Sequence, residues 1–144
     1  ENDLIINKKI HSVLRENLNV IFCIGETLIE KKNKKTYSVL KKQITKGLKG
    51  IKRINNILVA YEPVWSIGTG FIPSNSELLK NINNIKKIFK KFKKSSNIKI
   101  LYGGSVNPKN IRELAQIKAI NGFLVGGASL NSKKFIDIIK KTIN

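Results

Sequence analysis

The sequence is poor in cysteine, histidine, proline and acidic residues. Its 144 residues include one Cys, one His, three Pro and nine Asp or Glu. A single cysteine, Cys23, excludes a disulfide framework, and one Cys with one His is too few for a zinc site of the usual ligand type. No apolar run approaches the ~18 residues that a membrane span needs, and the acidic start, Glu1 to Asp3, is unlike a basic targeting segment. We therefore expect a soluble cytoplasmic protein.

Basic residues dominate the charge, because 28 Lys and Arg against nine Asp and Glu give a formal net charge of +19. A strongly basic domain can bind nucleic acid by releasing counterions from phosphates. However, 25 of these residues are Lys and only three are Arg, whereas base recognition favours the rigid fork of Arg. Lys, Asn and Ile share A- and T-rich codons, so compositional drift explains the excess without a partner. We therefore expect no specific nucleic-acid partner. A basic nucleic-acid-binding module is kept as one of three hypotheses for the function.

Four short apolar runs have the length and β-branched content of buried parallel strands. These runs are residues 20–24, 57–61, 98–102 and 123–125. Amphipathic helical patterns lie between them. The clearest has apolar residues at spacings of three and four from Leu78 to Phe92, after a capping-box pattern of Ser74 and Glu77. A leading helix contains Ile6 to Leu14, and a closing one has an apolar face of Phe135, Ile136, Ile139 and Ile143. Strands that alternate with helices predict an α/β fold.

Distinctive sequences follow the predicted strands, at the sheet edge where α/β proteins hold their chemistry. The second strand is followed by Glu62 and then by residues 63–73, which we call the lid loop. The loop has a stiff start with Pro63 and Trp65 and a tip with two glycines, a composition that suits a closing loop. Gly-Gly turns follow the third and fourth strands, at residues 103–104 and 126–127. The second turn opens towards a helix N-terminus, so the two can form a phosphate cradle.

The chain resembles the triosephosphate isomerase family through four segments. They are residues 23–27 (CIGET), 60–70 (AYEPVWSIGTG), 101–106 (LYGGSV) and 121–130 (NGFLVGGASL). The resemblance implies a TIM (β/α)8 barrel, of which this chain supplies roughly the last four strand–helix units. A full barrel takes about 250 residues, and the first residue is Glu1 rather than Met. We therefore expect residues 1–144 to be the C-terminal part of a single barrel domain.

The resemblance also implies an activity and its residues. The family interconverts dihydroxyacetone phosphate and D-glyceraldehyde 3-phosphate through an enediolate, and it is itself a standard example of a Glu base and a neutral His working under a closing loop. Glu62 matches the catalytic base. The substrate-binding positions match Gly68, Ser105, Gly126 and Gly127. The reaction implies no metal or other cofactor, and the family implies a homodimer for the full-length protein.

Several further residues carry weaker expectations. His11 lies in a helical pattern and lacks the family's flanking residues, so we do not expect it to be the catalytic His; that residue and the substrate-binding Lys would lie upstream of Glu1. The isolated chain is therefore expected to be inactive. Cys23 is predicted to be a buried small residue, Trp65 an anchor of the lid loop, and Glu26 a tie between loops. Ser66 stands where the family usually has Ala, and Pro73 should stiffen the hinge. A half-barrel that binds phosphate without catalysis is the second alternative.

Overall fold

The computed structural model describes residues 1–94 and 97–143, which form a parallel four-stranded sheet with helices outside it. The strands are β1 (Val20–Ile24), β2 (Ile57–Tyr61), β3 (Ile100–Tyr102) and β4 (Gly122–Phe123), in the spatial order β1-β2-β3-β4. The helices are α1 (Asp3–Arg15), α2 (Leu28–Lys32), α3 (Thr36–Gly47), α4 (Asn75–Lys93), α5 (Ile111–Ala115) and α6 (Ser132–Ile143). The predicted α/β class and the order of its strand–helix units are confirmed.

The core lies between the sheet and the helices α1, α3 and α4. Its fully buried members are large aliphatic and aromatic side chains from both layers, such as Leu40, Ile44, Ile82, Phe89 and Ile100. Burial of this apolar surface is the main favourable term that holds α3 and α4 on the sheet. The helix starts are also fixed locally, since Ser74 accepts a hydrogen bond from the Glu77 amide at 3.3 Å. The Glu77 carboxylate contacts Lys31 Nζ at 2.9 Å instead of completing the predicted capping box.

Two strands are shorter than the sequence pattern indicates. β3 begins at Ile100, not at Ile98. Ile98 is buried all the same, since an apolar residue can enter the core without its backbone pairing with a neighbouring strand. β4 ends at Phe123 rather than Val125. It pairs only with β3, through Leu101 with Gly122 and Tyr102 with Phe123, so it is an edge strand with one ladder to define it.

The expected burial is wrong at the two edges of the sheet. Strand β1 was predicted to be covered on both faces, but only alternate residues are buried, and Ile21 is 47% exposed. The predicted apolar face of α6 is also exposed, and Ile138 is the residue of that helix that enters the core. Within the described residues β1 and β4 each have a neighbour on one side only, so nothing there covers these surfaces.

Candidate active site

The five residues that the sequence analysis assigned to catalysis and binding line one cavity of about 930 Å³ at the carboxyl ends of β2, β3 and β4. They are Glu62, Gly68, Ser105, Gly126 and Gly127. Parallel strands place the residues that follow them at the same edge of a sheet, so positions separated by more than sixty residues of chain meet here. The structure thus brings together every predicted site residue.

The position of Glu62 at the end of β2 depends on a backbone hydrogen bond and on the space that two glycines leave beside it. Its amide donates to the Ile24 carbonyl at 2.8 Å, which continues the β1–β2 ladder by one residue. A Cβ on Gly25 would overlap the Glu62 carbonyl, and a Cβ on Gly103 would come 2.5 Å from Glu62 Oε1. Each glycine therefore provides space that any other residue would fill. Glu62 is half-buried, with its side chain packed against Gly103 at the floor of the cavity.

Cys23 lies beside Glu62 and is exposed, so its prediction as a buried residue is wrong. The thiol lies on the uncovered face of the edge strand β1. Partial burial of the sulfur, together with the nearby Glu62 carboxylate, raises the pKa of Cys23 to about 12 although the residue as a whole is exposed. A thiol with so high a pKa is protonated at neutral pH and is a poor nucleophile.

The start of the lid loop is anchored on a buried carboxylate. Trp65 Nε1 donates to Glu26 Oε1 at 2.9 Å, and the Tyr61 hydroxyl donates to Glu26 Oε2 at 3.1 Å. Asn81 of α4 donates in turn to the Tyr61 hydroxyl at 2.8 Å. Glu26 is fully buried, so these donors replace the water that the charge would otherwise need. The predictions that Trp65 anchors the lid loop and that Glu26 ties loops together are confirmed.

A cation also packs against this anchor. Lys31 Nζ lies 3.7 Å from the centroid of the Trp65 ring, a distance at which the ammonium is attracted by the face of the indole. The same ammonium pairs with Glu77 of α4. Lys31 therefore joins α2, the lid loop and α4 at one point. Sequence reasoning missed it because it is one of many lysines, and only its position five residues after Glu26 separates it from the rest.

The tip of the lid loop is held by the turn after β3. The Gly70 amide donates to Ser105 Oγ at 3.0 Å, and Ser105 Oγ donates to the Ser66 carbonyl. Gly68 and Gly70 have φ values of 70° and 81°, in the left-handed region that favours glycine. Ser105 also has a positive φ, 45°, which is uncommon for a residue with a side chain. The loop tip is thus shaped by glycine conformations and fixed from below by Ser105.

Gly126 and Gly127 form the third wall of the cavity. A four-residue 3₁₀ turn, Gly127–Leu130, follows β4 and precedes α6, so the predicted helix N-terminus is that of a short turn rather than of the long helix. Both glycines are exposed and their Cα atoms face open space. Their amides can therefore be approached closely by an anion.

Two lysines at the cavity escaped the sequence analysis. Lys109, in the segment before α5, and Lys134, in the first turn of α6, line the same space as the glycines. Lysines on helical segments had been assigned to solvated surfaces, and that rule fails where a helix begins at the site. The signal that separates these two is their position a few residues after a Gly-Gly turn. Both lysines bring positive charge to the lining of the cavity.

His11 lies away from this cavity, as expected. It belongs to α1, and its Nε2 lies 3.1 Å from the Lys49 carbonyl at the end of the α3 segment. Among residues 1–94 and 97–143 no cluster of three or more His, Cys, Asp or Glu side chains could hold a metal ion. Over the same residues no helix is long and apolar enough to cross a membrane.

The similarity of this chain to known proteins extends over all residues of the site. A sequence model of the family described as triosephosphate isomerase matches residues 1–142. A protein of Thermodesulfovibrio yellowstonii named triosephosphate isomerase is 46% identical over 144 residues, which is 97% of this chain and 58% of that protein. Proteins with the same name from Geotalea uraniireducens and Mycoplasma mobile are 42% and 44% identical, each over 97% of this chain. The chain spans 58% and 56% of the length of these two relatives.

Proposed function

Because the chain belongs to the triosephosphate isomerase family, we propose that the protein interconverts dihydroxyacetone phosphate and D-glyceraldehyde 3-phosphate, a step of glycolysis and gluconeogenesis. The chain supplies the last four strand–helix units of a (β/α)8 barrel. The observation that carries the proposal is the convergence of Glu62 with Gly68, Ser105, Gly126 and Gly127 on one cavity. The remainder of each relative's length, which this chain does not cover, supplies the other half of the barrel.

Glu62 acts as the base in this proposal. Its carboxylate removes a proton from the carbon next to the substrate carbonyl, and the enediolate that results takes the proton back on the former carbonyl carbon. The proton of the substrate hydroxyl moves to the former carbonyl oxygen, a transfer for which the proposal relies on the His upstream of this chain. A carboxylate is a weak base in water, so its effect depends on exclusion of solvent and on a fixed position. The lid loop supports the first requirement and Gly103, which lets the carboxylate lie against the cavity floor, supports the second.

The phosphate group is held by the main chain. Gly68 at the loop tip, Ser105 and the Gly126–Gly127 pair surround a space that a dianion can fill, with Lys109 and Lys134 nearby. Amides aimed at an anion stabilise it without the entropy cost of ordering long side chains. A firmly held phosphate also keeps the enediolate from eliminating it, because the reactive geometry is fixed.

The test joins this chain, in register, to the upstream part of the Thermodesulfovibrio yellowstonii relative that it does not match; we call the product the joined chain. We expect the joined chain to isomerise triose phosphates and the 144-residue chain alone to show no turnover, since no His of this chain reaches the cavity to polarise the carbonyl. A folded joined chain without isomerase activity would contradict the proposal. The joined protein is proposed to be a cytoplasmic homodimer like the full-length family members.

A second function, phosphate binding without catalysis, is favoured by one observation: Gly68, Ser105, Gly126 and Gly127 all belong to this chain and line one cavity. Binding of inorganic phosphate by the 144-residue chain, measured by calorimetry, tests it. Phosphate binding together with an inactive joined chain would favour this second function over the first.

A further inference from the structure

The side chain of Ser66 lies between the two ends of the lid loop and is fully buried. Its Oγ is 2.6 Å from the Phe71 carbonyl, across the loop, and 3.2 Å from the Tyr102 hydroxyl at the end of β3. A serine hydroxyl has one proton, and a carbonyl can only accept. Ser66 therefore donates to Phe71 and accepts from Tyr102, which fixes the direction of both bonds.

Tyr102 is suited to the donor role. Its side chain is fully buried, and burial raises the pKa of its hydroxyl to about 12, so the proton stays on the oxygen at neutral pH. Within the described residues no buried polar side-chain atom lacks a partner, and for Tyr102 the partner is Ser66.

Gly104 provides the space in which the two hydroxyls meet. A Cβ at this position would come 2.5 Å from Ser66 Oγ and closer still to Tyr102 Oη. The second glycine of the turn after β3 therefore leaves room for the Ser66–Tyr102 pair, whereas the first, Gly103, leaves room for the Glu62 side chain. A turn that is commonly only a tight connection thus accommodates both the base and the loop contact.

We propose that Ser66 is a positioning residue of the lid loop. Its hydroxyl accepts a hydrogen bond from Tyr102 and donates one to the Phe71 carbonyl on the other side of the loop. These bonds hold the loop closed, with Gly68 over the phosphate cradle. This inference rests on the proposed function for its effect on substrate, but not for its effect on the loop. The Ser66 carbonyl is bonded by Ser105 as well, so the same residue is fixed through both its backbone and its side chain.

The first arm of the experiment needs no activity. Amide hydrogen exchange of residues 66–71 is compared in the 144-residue chain and its Ser66→Ala and Tyr102→Phe variants. We expect exchange of the Gly70 amide to become about five- to tenfold faster in Tyr102→Phe, which loses one hydrogen bond, and to be accelerated at least as much in Ser66→Ala, which loses two, while amides of β2 keep their rates. Ser38→Ala is the matched control, because Ser38 Oγ also donates to a backbone carbonyl, that of Lys35, far from the loop.

The second arm measures the joined chain. Ser66→Ala and Tyr102→Phe should each raise KM by about five- to tenfold with a smaller fall in kcat. The double variant should be no worse than Ser66→Ala, because that change already removes the contact with Tyr102. An inactive joined chain with faster loop exchange would contradict the proposed function alone. Unchanged exchange in both variants, or additive effects in the double variant, would overturn the role of Ser66. If Ser66→Ala does not fold, Tyr102→Phe decides the exchange arm.

Discussion

The carboxylate of Glu62 lies against Gly103, so closely that a methyl group on Gly103 would come 2.5 Å from Oε1 and 2.7 Å from Cγ. Gly103→Ala must therefore move the carboxylate by roughly 1 Å, a displacement that can cost about 10²-fold in rate. We expect kcat of the joined chain to fall by about that factor, as measured in a coupled isomerase assay.

The matched control for this change is Gly122→Ala. The new methyl group would meet only Leu101 Cδ2, at 3.1 Å, which is the end of a flexible side chain. Its kcat should stay within about twofold of the parent. Equal losses in the two variants would contradict a specific role of Gly103 in placing Glu62.

Removal of the carboxylate itself is the second prediction. Glu62→Gln keeps the size of the side chain but removes the base, so kcat of the joined chain should fall by roughly 10²–10⁴-fold, the usual contribution of general-base catalysis. Binding of inorganic phosphate by the 144-residue chain should not weaken, because Glu62 is not one of the groups that hold the phosphate and its replacement removes a negative charge from the same cavity. Glu16→Gln, at the exposed end of α1, serves as the control. A loss below tenfold for Glu62→Gln would exclude it as the base.

The third prediction concerns stability. Glu26→Gln replaces a buried charge that accepts from Tyr61 and Trp65 by an amide with one acceptor oxygen. One donor loses its charged partner and the new NH₂ group has to be accommodated, so the free energy of unfolding should fall by about 1–3 kcal/mol. Urea denaturation followed by Trp65 fluorescence measures this loss of stability and also reports on the surroundings of Trp65, since Trp65 is the one tryptophan of the sequence. An unchanged midpoint would show that Glu26 contributes nothing to the anchor.

The fourth prediction follows from the raised pKa of Cys23. Because the folded thiol ionises near pH 12 instead of its ordinary value of 9, little reactive thiolate exists at pH 8.5. Alkylation by iodoacetamide at this pH should be about 10²-fold slower in the folded chain than in urea, and in the folded chain its rate should keep rising with pH beyond 9, where the rate of an ordinary thiol levels off. Glu62→Gln, which removes the neighbouring negative charge, should speed the reaction at pH 8.5. Equal folded and unfolded rates would contradict the shift.

The parts of the fold that the sequence predicts are those governed by local pattern. The spacing of Leu78 to Phe92 locates α4, and the apolar run of residues 57–61 locates β2 to the residue. An apolar pattern shows that a residue is buried but not whether its backbone pairs with a neighbouring strand. The sequence therefore predicts a third strand that begins at Ile98, two residues before β3 does. The short helices α2 and α5 escaped notice, since five residues hold too few apolar positions to show a period.

The candidate site divides in a similar way. Glu62 and the glycines follow strands and could be inferred from that position. The contacts that hold them could not, because the Ser66–Tyr102 pair and the Lys31–Trp65 contact join residues more than thirty positions apart. Cys23 was misplaced because burial at an edge strand depends on what lies beside it rather than on the residue itself.

The phosphate cradle has a consequence for how this sequence can change. Every codon for an amino acid other than proline supplies a backbone N–H, so a binding site made of main-chain amides is encoded by the path of the loops and not by particular side chains. A mutational bias that replaces residue after residue by Lys, Asn and Ile therefore cannot remove the donors. It can harm them where a side chain would displace the loop, as at Gly25, Gly103 and Gly104, or where a positive φ favours glycine, as at Gly68 and Gly70.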